Sequence, residues 1–130
     1  MAAKHDFILD QGATWVRTFN CTKTDGTAVD FGAGASAKMQ FRAYIGAPTT
    51  LFEAACVITT PASGVIVATV PPTLSTAVNL FQLESGKATE NSVTKTGYMA
   101  VYDLEVTFGD TTKIRVVEGN TCITPEVTLD

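Results

Sequence analysis

The sequence predicts an all-β domain, built as a two-sheet antiparallel sandwich or, alternatively, as a small closed barrel. Three observations carry this. Roughly eight short runs alternate apolar and polar residues, Gly, Asp and Pro turn signals separate them, and helical periodicity is almost absent. At 130 residues the chain fits a single domain over 1–130, long enough to bury a core without staples. Its hydrophobic fraction of 45% against 17% charged residues is that of a globular chain rather than a disordered one.

In chain order, residues 6–9 read as a first strand stopped by Asp10-Gln11-Gly12. Residues 13–22 alternate next, with Trp15, Phe19 and Cys21 on one face and Thr14, Thr18, Asn20 and Thr22 on the other. Arg17 falls on the Trp15 face and is expected at a rim, where its charge reaches solvent. Asp25-Gly26 marks a hairpin turn, because glycine tolerates the positive φ such turns need. A brief return, 28–31, leads into Gly32-Ala33-Gly34.

Residues 36–45 alternate most clearly: Met39, Phe41, Ala43 and Ile45 face one way, Lys38, Gln40, Arg42 and Tyr44 the other. Residues 51–53 are expected as a short edge strand. The β-branched runs 56–60 and 64–70 are joined by a Pro61–Gly64 hairpin. After Pro71-Pro72, residues 73–81 suit one helical turn, with Ser75 or Thr76 as its cap. The segment 82–97 is polar and poor in apolar residues, and it reads as a long surface loop. Tyr102, Leu104, Val106 and Phe108 then share a face opposite Asp103, Glu105 and Thr107. The chain turns at Gly109-Asp110-Thr111 and returns with Ile114 and Val116 inward. Glu118-Gly119-Asn120 breaks the alternation as a glycine bulge would, and Pro125 ends the last strand.

A net charge of −4, with nine basic residues scattered from Lys4 to Arg115, argues against nucleic acid or an anionic membrane as partner. No run approaches the length of a membrane span, and residues 1–6 carry no apolar signal core, so a soluble, unexported protein is expected. Cys21, Cys56 and Cys122 form no Cys-x-x-Cys pair and read as small buried hydrophobes in a reducing cytoplasm. A Cys21–Cys122 bridge would leave Cys56 unpaired.

The search for chemistry yields no catalytic, cofactor-binding or metal residues. His5 is the sole histidine, near a terminus and without a nucleophile beside it. Asp103 and Glu105 lie about 7 Å apart on a wet strand face, where such pairs arise routinely. Asp6 with Asp10, and Asp25 with Asp30, lack the dense oxygen spacing of a calcium loop and suit turns and caps. No glycine-rich phosphate loop follows a strand. The Asn20-Cys21-Thr22 sequon lies mid-strand and is discounted.

Two stretches carry a resemblance. "DFILDQGATWVRTFNCTKTDGTAVDF" with "AKMQFR" at one end, and "YDLEVTFGDTTKIRVVEGNTCITPEVT" at the other, resemble segments of small tailed-bacteriophage structural proteins. The likeness covers about 6–42 and 98–128, half the chain. It is also similar, more loosely, to the immunoglobulin-like N-terminal module of phage baseplate upper proteins. The resemblance implies an immunoglobulin-like sandwich with no enzymatic activity, acting as a virion adaptor in the tail, baseplate, neck or fibre-attachment region. Its partners would be tail, fibre or capsid subunits, met in many copies or as a symmetric homo-oligomer, within a particle assembled in the host cytoplasm. A capsid-decorating protein is the alternative, followed by a free carbohydrate- or protein-binding module. A sugar-binding module should expose aromatics, and only Tyr44 and Tyr98 are placed to do so.

Overall fold

A computed structural model describes residues 3–125 and bears out the all-β class. Nine strands follow in order: β1 (Ala3–Lys4), β2 (Phe7–Asp10), β3 (Trp15–Asn20), β4 (Ser36–Arg42), β5 (Phe52–Thr60), β6 (Val65–Val70), β7 (Glu84–Glu90), β8 (Val93–Thr107) and β9 (Lys113–Thr124). They join in the order β1-β9-β8-β4-β5-β6-β3, with β2 also on β9 and β7 also on β8. The result is one curled sheet, a half-barrel, closer to the barrel alternative than to two separate layers. Nor is it purely antiparallel. β1 and β2 run parallel to β9, in the register Ala3 to Val117 and Phe7 to Thr121.

β5 makes the curl. Its first residues pair with β4, Phe52 opposite Phe41, and the rest pair with β6, Val57 opposite Val67. The expected edge strand at 51–53 is therefore the start of a long internal strand, continuous with 56–60. The inward residues of both halves meet across the curl. Phe41 stacks on Phe52 at 4.6 Å and meets Trp15 edge-on at 5.9 Å, while Phe7 meets Trp15 at 5.4 Å. Met39, Phe41, Ile66, Leu104 and Ile123 are fully buried there.

Much of the predicted alternation holds. The Asp25-Gly26 turn forms, with Lys23 N–H donating to Thr27 C=O at 2.7 Å, although 28–31 returns through a single bridge, Ala28 to Thr22. The Pro61–Ser63 turn links β5 and β6. Elsewhere the structure corrects the reading. β4 ends at Arg42, whose guanidinium donates to the Ala47 carbonyl at 2.8 Å, so Ile45 leaves the ladder and stands exposed. The helical turn is α1 (Pro72–Thr76), with Ser75 and Thr76 inside it and Pro71 at its cap position. Buried Ser75 instead accepts from Gly12 N–H at 3.0 Å.

The largest correction concerns 82–97, expected as a loop. After a short 3-10 turn (Leu80–Gln82), β7 and the first residues of β8 form a regular hairpin, Glu84 opposite Met99 to Glu90 opposite Val93. Its two-residue turn is Asn91-Ser92, with φ of 51° and 67°, the left-handed pair that a tight hairpin uses. The hairpin lies over the outer face of β2 and β9, where Ala88 and Met99 pack on Ile8 and Cys122. Gly97 permits that approach, since an added Cβ would meet the Ile123 carbonyl oxygen at 2.5 Å.

β9 also differs. Its irregularity lies near Val116, because Leu104 pairs with Val117 and Glu105 with Arg115. Ile114 stays on the inner face opposite buried Val106 but is left partly exposed at the open seam, and after the extra residue Val117 is buried opposite Leu104. Gly119 has another role: the His5 backbone passes so close that a Cβ would strike its carbonyl.

Candidate interaction surface

Among the described residues the curled path of strands ends at β3 on one side and at β1 with β2 on the other, and side chains bridge part of the seam between these margins. Ile8 N–H donates to the Glu90 carboxylate at 3.0 Å, and Ile8 C=O accepts from Trp15 Nε1 at 3.1 Å and from Arg17 at 3.3 Å. Arg17 closes the circuit with a two-pronged pair to Glu90, at 2.7 and 2.8 Å. Its guanidinium also lies 5.0 Å from the Trp15 ring centroid. The rim position expected for Arg17 is therefore observed. Its partner went unseen, because Glu90 sits within the segment read as a loop. Burial works to raise the Glu90 pKa, but the Arg17 and Ile8 hydrogen bonds and the Arg17 charge outweigh it and hold the carboxyl below its ordinary value.

Beyond this bridge the seam opens into a cleft of about 600 Å³. Phe7, Phe19, Val29 and Val116 line it, along with Thr18, Asn20 and Arg115. Two strand edges border it. Cys21 N–H donates to Gly64 C=O at 2.9 Å, so by alternation Thr18 and Asn20 turn their backbone groups away from β6, toward the cleft. Phe108 N–H likewise donates to Thr112 C=O at 2.8 Å, which leaves Lys113 and Arg115 turned away from β8.

Three large apolar side chains elsewhere on the surface stand in water. Ile45 and Phe81 are each 87% exposed and Tyr44 60%. Tyr44 and Ile45 line a second cleft with Ala43, Leu83 and Met99, and Phe81 meets Tyr98 edge-on at 6.3 Å. Tyr98, expected as an exposed platform, instead packs partly buried against the core. Phe81 was not singled out by its sequence context. The outer face of β3 and β5 adds Val16 and Val57, also exposed.

The groups weighed for chemistry are scattered and engaged. The His5 ring lies tilted against Phe7 at 4.7 Å, and its backbone carbonyl accepts from the Tyr102 hydroxyl. Asp103 pairs with Arg115 at 3.3 Å. Asp6 accepts from Asn120 N–H, and Asp10 from Thr124 and Lys95; the Thr124 hydroxyl is the chief cause of the lowered Asp10 pKa. Asp25 and Asp30 accept from Thr27 and Gly32 N–H in turns. Among the described residues no group of three His, Cys, Asp or Glu could hold a metal ion. All three cysteines are free thiols. Cys21 packs on the inner core and Cys122 under the hairpin, while burial, with Glu53 adding, raises Cys56 to about 11. No helix among the described residues is long and apolar enough to cross a membrane. No family model matches the chain, and no curated protein matches it either.

Proposed function

We propose that this chain is a non-enzymatic structural protein of a tailed-phage particle, an adaptor of the tail, baseplate, neck or fibre-attachment region that works through protein–protein contacts. The carrying observation is exposed Tyr44 and Ile45 at a cleft they line with Ala43, Leu83 and Met99, with exposed Phe81 next in sequence to its lining residue Gln82. Isolated exposed apolar residues are ordinary, but large ones gathered beside a cleft resemble the anchors of a protein interface. The terminal segments that resemble phage structural proteins supply the particle.

A shell-decorating subunit is the second reading, favoured by the exposed Val16 and Val57 on the outer face of β3 and β5, which suits lying against a larger surface. The test is to purify the particles containing this protein and count its copies against the major capsid protein. About six to a few dozen copies suit a ring on the tail axis. Hundreds would indicate shell decoration, and absence from the particles would overturn both readings.

A further inference from the structure

Asparagine is a chemically labile residue, and this chain has four: Asn20, Asn79, Asn91 and Asn120. We propose that Asn91, at the tip of the β7–β8 hairpin, is a site of spontaneous deamidation, and that its isoaspartate product loosens the hairpin. In this reaction the backbone nitrogen of the next residue attacks the asparagine side-chain carbonyl. The attacking N–H must therefore be free and uncrowded.

Asn91 meets both conditions. Asn91-Ser92 is the central pair of the two-residue turn, with both residues exposed and both at positive φ. Such a turn closes through its flanking residues, Glu90 and Val93, and leaves its central peptide unbonded. Ser92 N–H and the Asn91 side chain accordingly have no hydrogen-bond partner among the described residues. Ser92 is also smaller than Cys21, Leu80 or Thr121, the residues that follow the other three.

Those three are held. Cys21 N–H, after Asn20, donates to the Gly64 carbonyl at 2.9 Å. Bulky Leu80 follows Asn79, whose side chain is engaged, accepting from Phe81 N–H at 3.1 Å. Asn120 precedes β-branched Thr121, which is fully buried in β9 between β2 and β8. Asp25-Gly26 could form the same ring, but it is held as well. Gly26 N–H donates to Lys23 C=O at 2.9 Å, and Asp25 accepts from the Thr27 hydroxyl and N–H.

In the reaction, the Ser92 nitrogen bonds to Asn91 Cγ, the side-chain nitrogen leaves as ammonia, and a cyclic imide remains. Water then opens the ring. Opening at the side-chain carbonyl gives an ordinary aspartate at position 91. Opening at the backbone carbonyl routes the main chain through the side chain and adds a methylene to the turn. That shifts the Glu90–Val93 pairing, and the Glu90 carboxylate holds both Ile8 N–H and Arg17. The isoaspartate form should therefore release the hairpin from β2. This inference does not rest on the virion reading.

The test is to hold the purified full chain, folded, in mildly alkaline buffer for several weeks and map its peptides by mass spectrometry. Asn91 is expected to lose its amide at least about tenfold faster than Asn20, Asn79 or Asn120, since a bonded or buried amide reacts only after local opening. Ser92→Gly should speed the loss further, by baring the attacking nitrogen. Asn91→Gly, which suits the positive φ, should abolish the first acidic form to appear on ion exchange. The isolated isoaspartate form should lose exchange protection at the Ile8 amide, while the aspartate form keeps it. An Asn91 amide that lasts as long as the other three would overturn the proposal. Full Ile8 protection in the isoaspartate form would overturn the coupling to the hairpin.

Discussion

Leu9 and Ile8 are neighbours in β2, yet they anchor different cores. Leu9 points into the curl among Met39, Phe41, Leu104 and Ile123, a large cluster fed by both halves of the sheet. Ile8 points outward beneath the β7–β8 hairpin, among Ala88, Cys122 and Met99. The inner core holds by redundancy, with many apolar residues on many strands. The outer one rests on four side chains, the Arg17–Glu90 pair and a close approach at Gly97. Local opening follows the weaker set of contacts, so the hairpin should release before the barrel unfolds.

That difference can be broken from either side. Phe41→Ala empties the centre of the inner core and should cost about 3–5 kcal/mol, read as a lower urea midpoint for the whole domain. Glu90→Gln should cost less, about 2–3 kcal/mol, because it unpairs a partly buried Arg17 and weakens the acceptor for Ile8 N–H. Its signature is local. Exchange protection at the Ile8 amide should fall, and buried Cys122 should become alkylatable well below the urea midpoint of the whole domain. If both change only with global unfolding, the two cores are a single cooperative unit.

Acid sharpens the same contrast. The Glu90 carboxyl is held below its ordinary value of 4.5, so its contribution is complete above that value and is lost as pH falls through the lower, folded-state pKa. Urea midpoints of the native chain should therefore drop in that acidic window more steeply than those of Glu90→Gln. Equal slopes would remove Glu90 from the account. Smaller again is Thr121→Val. The Thr121 hydroxyl is buried with no hydrogen-bond partner among the described residues, so its removal should raise stability by about 1 kcal/mol. Smallest is Lys95→Ala, which breaks an exposed pair with Asp10 and should change stability by less than about 0.5 kcal/mol.

The inner core was legible because period-two alternation is a local signal. Met39 with Phe41, and Tyr102 with Leu104 and Val106, declare their face within five or six residues. The hairpin at 84–99 was not legible. Its strands bury one small face, through Ala88, Glu90 and Gly97, and leave most of the rest exposed, so composition mimics a loop. Asn91-Ser92 was the available signal, a turn pair tolerant of positive φ, and it lacked the glycine that would have marked it. The exposure of Ile45 escaped for the opposite reason: alternation ran on in the sequence after the ladder had stopped at Arg42. As for the candidate surface, Arg17 at a rim was readable, but the cleft beside it was not.

By itself, then, the sequence determined the strands, their inward faces and most of the turns, because each depends on residues within a few positions of one another. Only the tertiary structure decided which strands became neighbours. The parallel seating of β1 and β2 on β9, the bend of β5 from one half of the sheet to the other, and the Arg17–Glu90 bridge join residues far apart in the chain. Those pairings depend on which edges and apolar faces meet once the sheet has curled, a choice that local patterning does not encode.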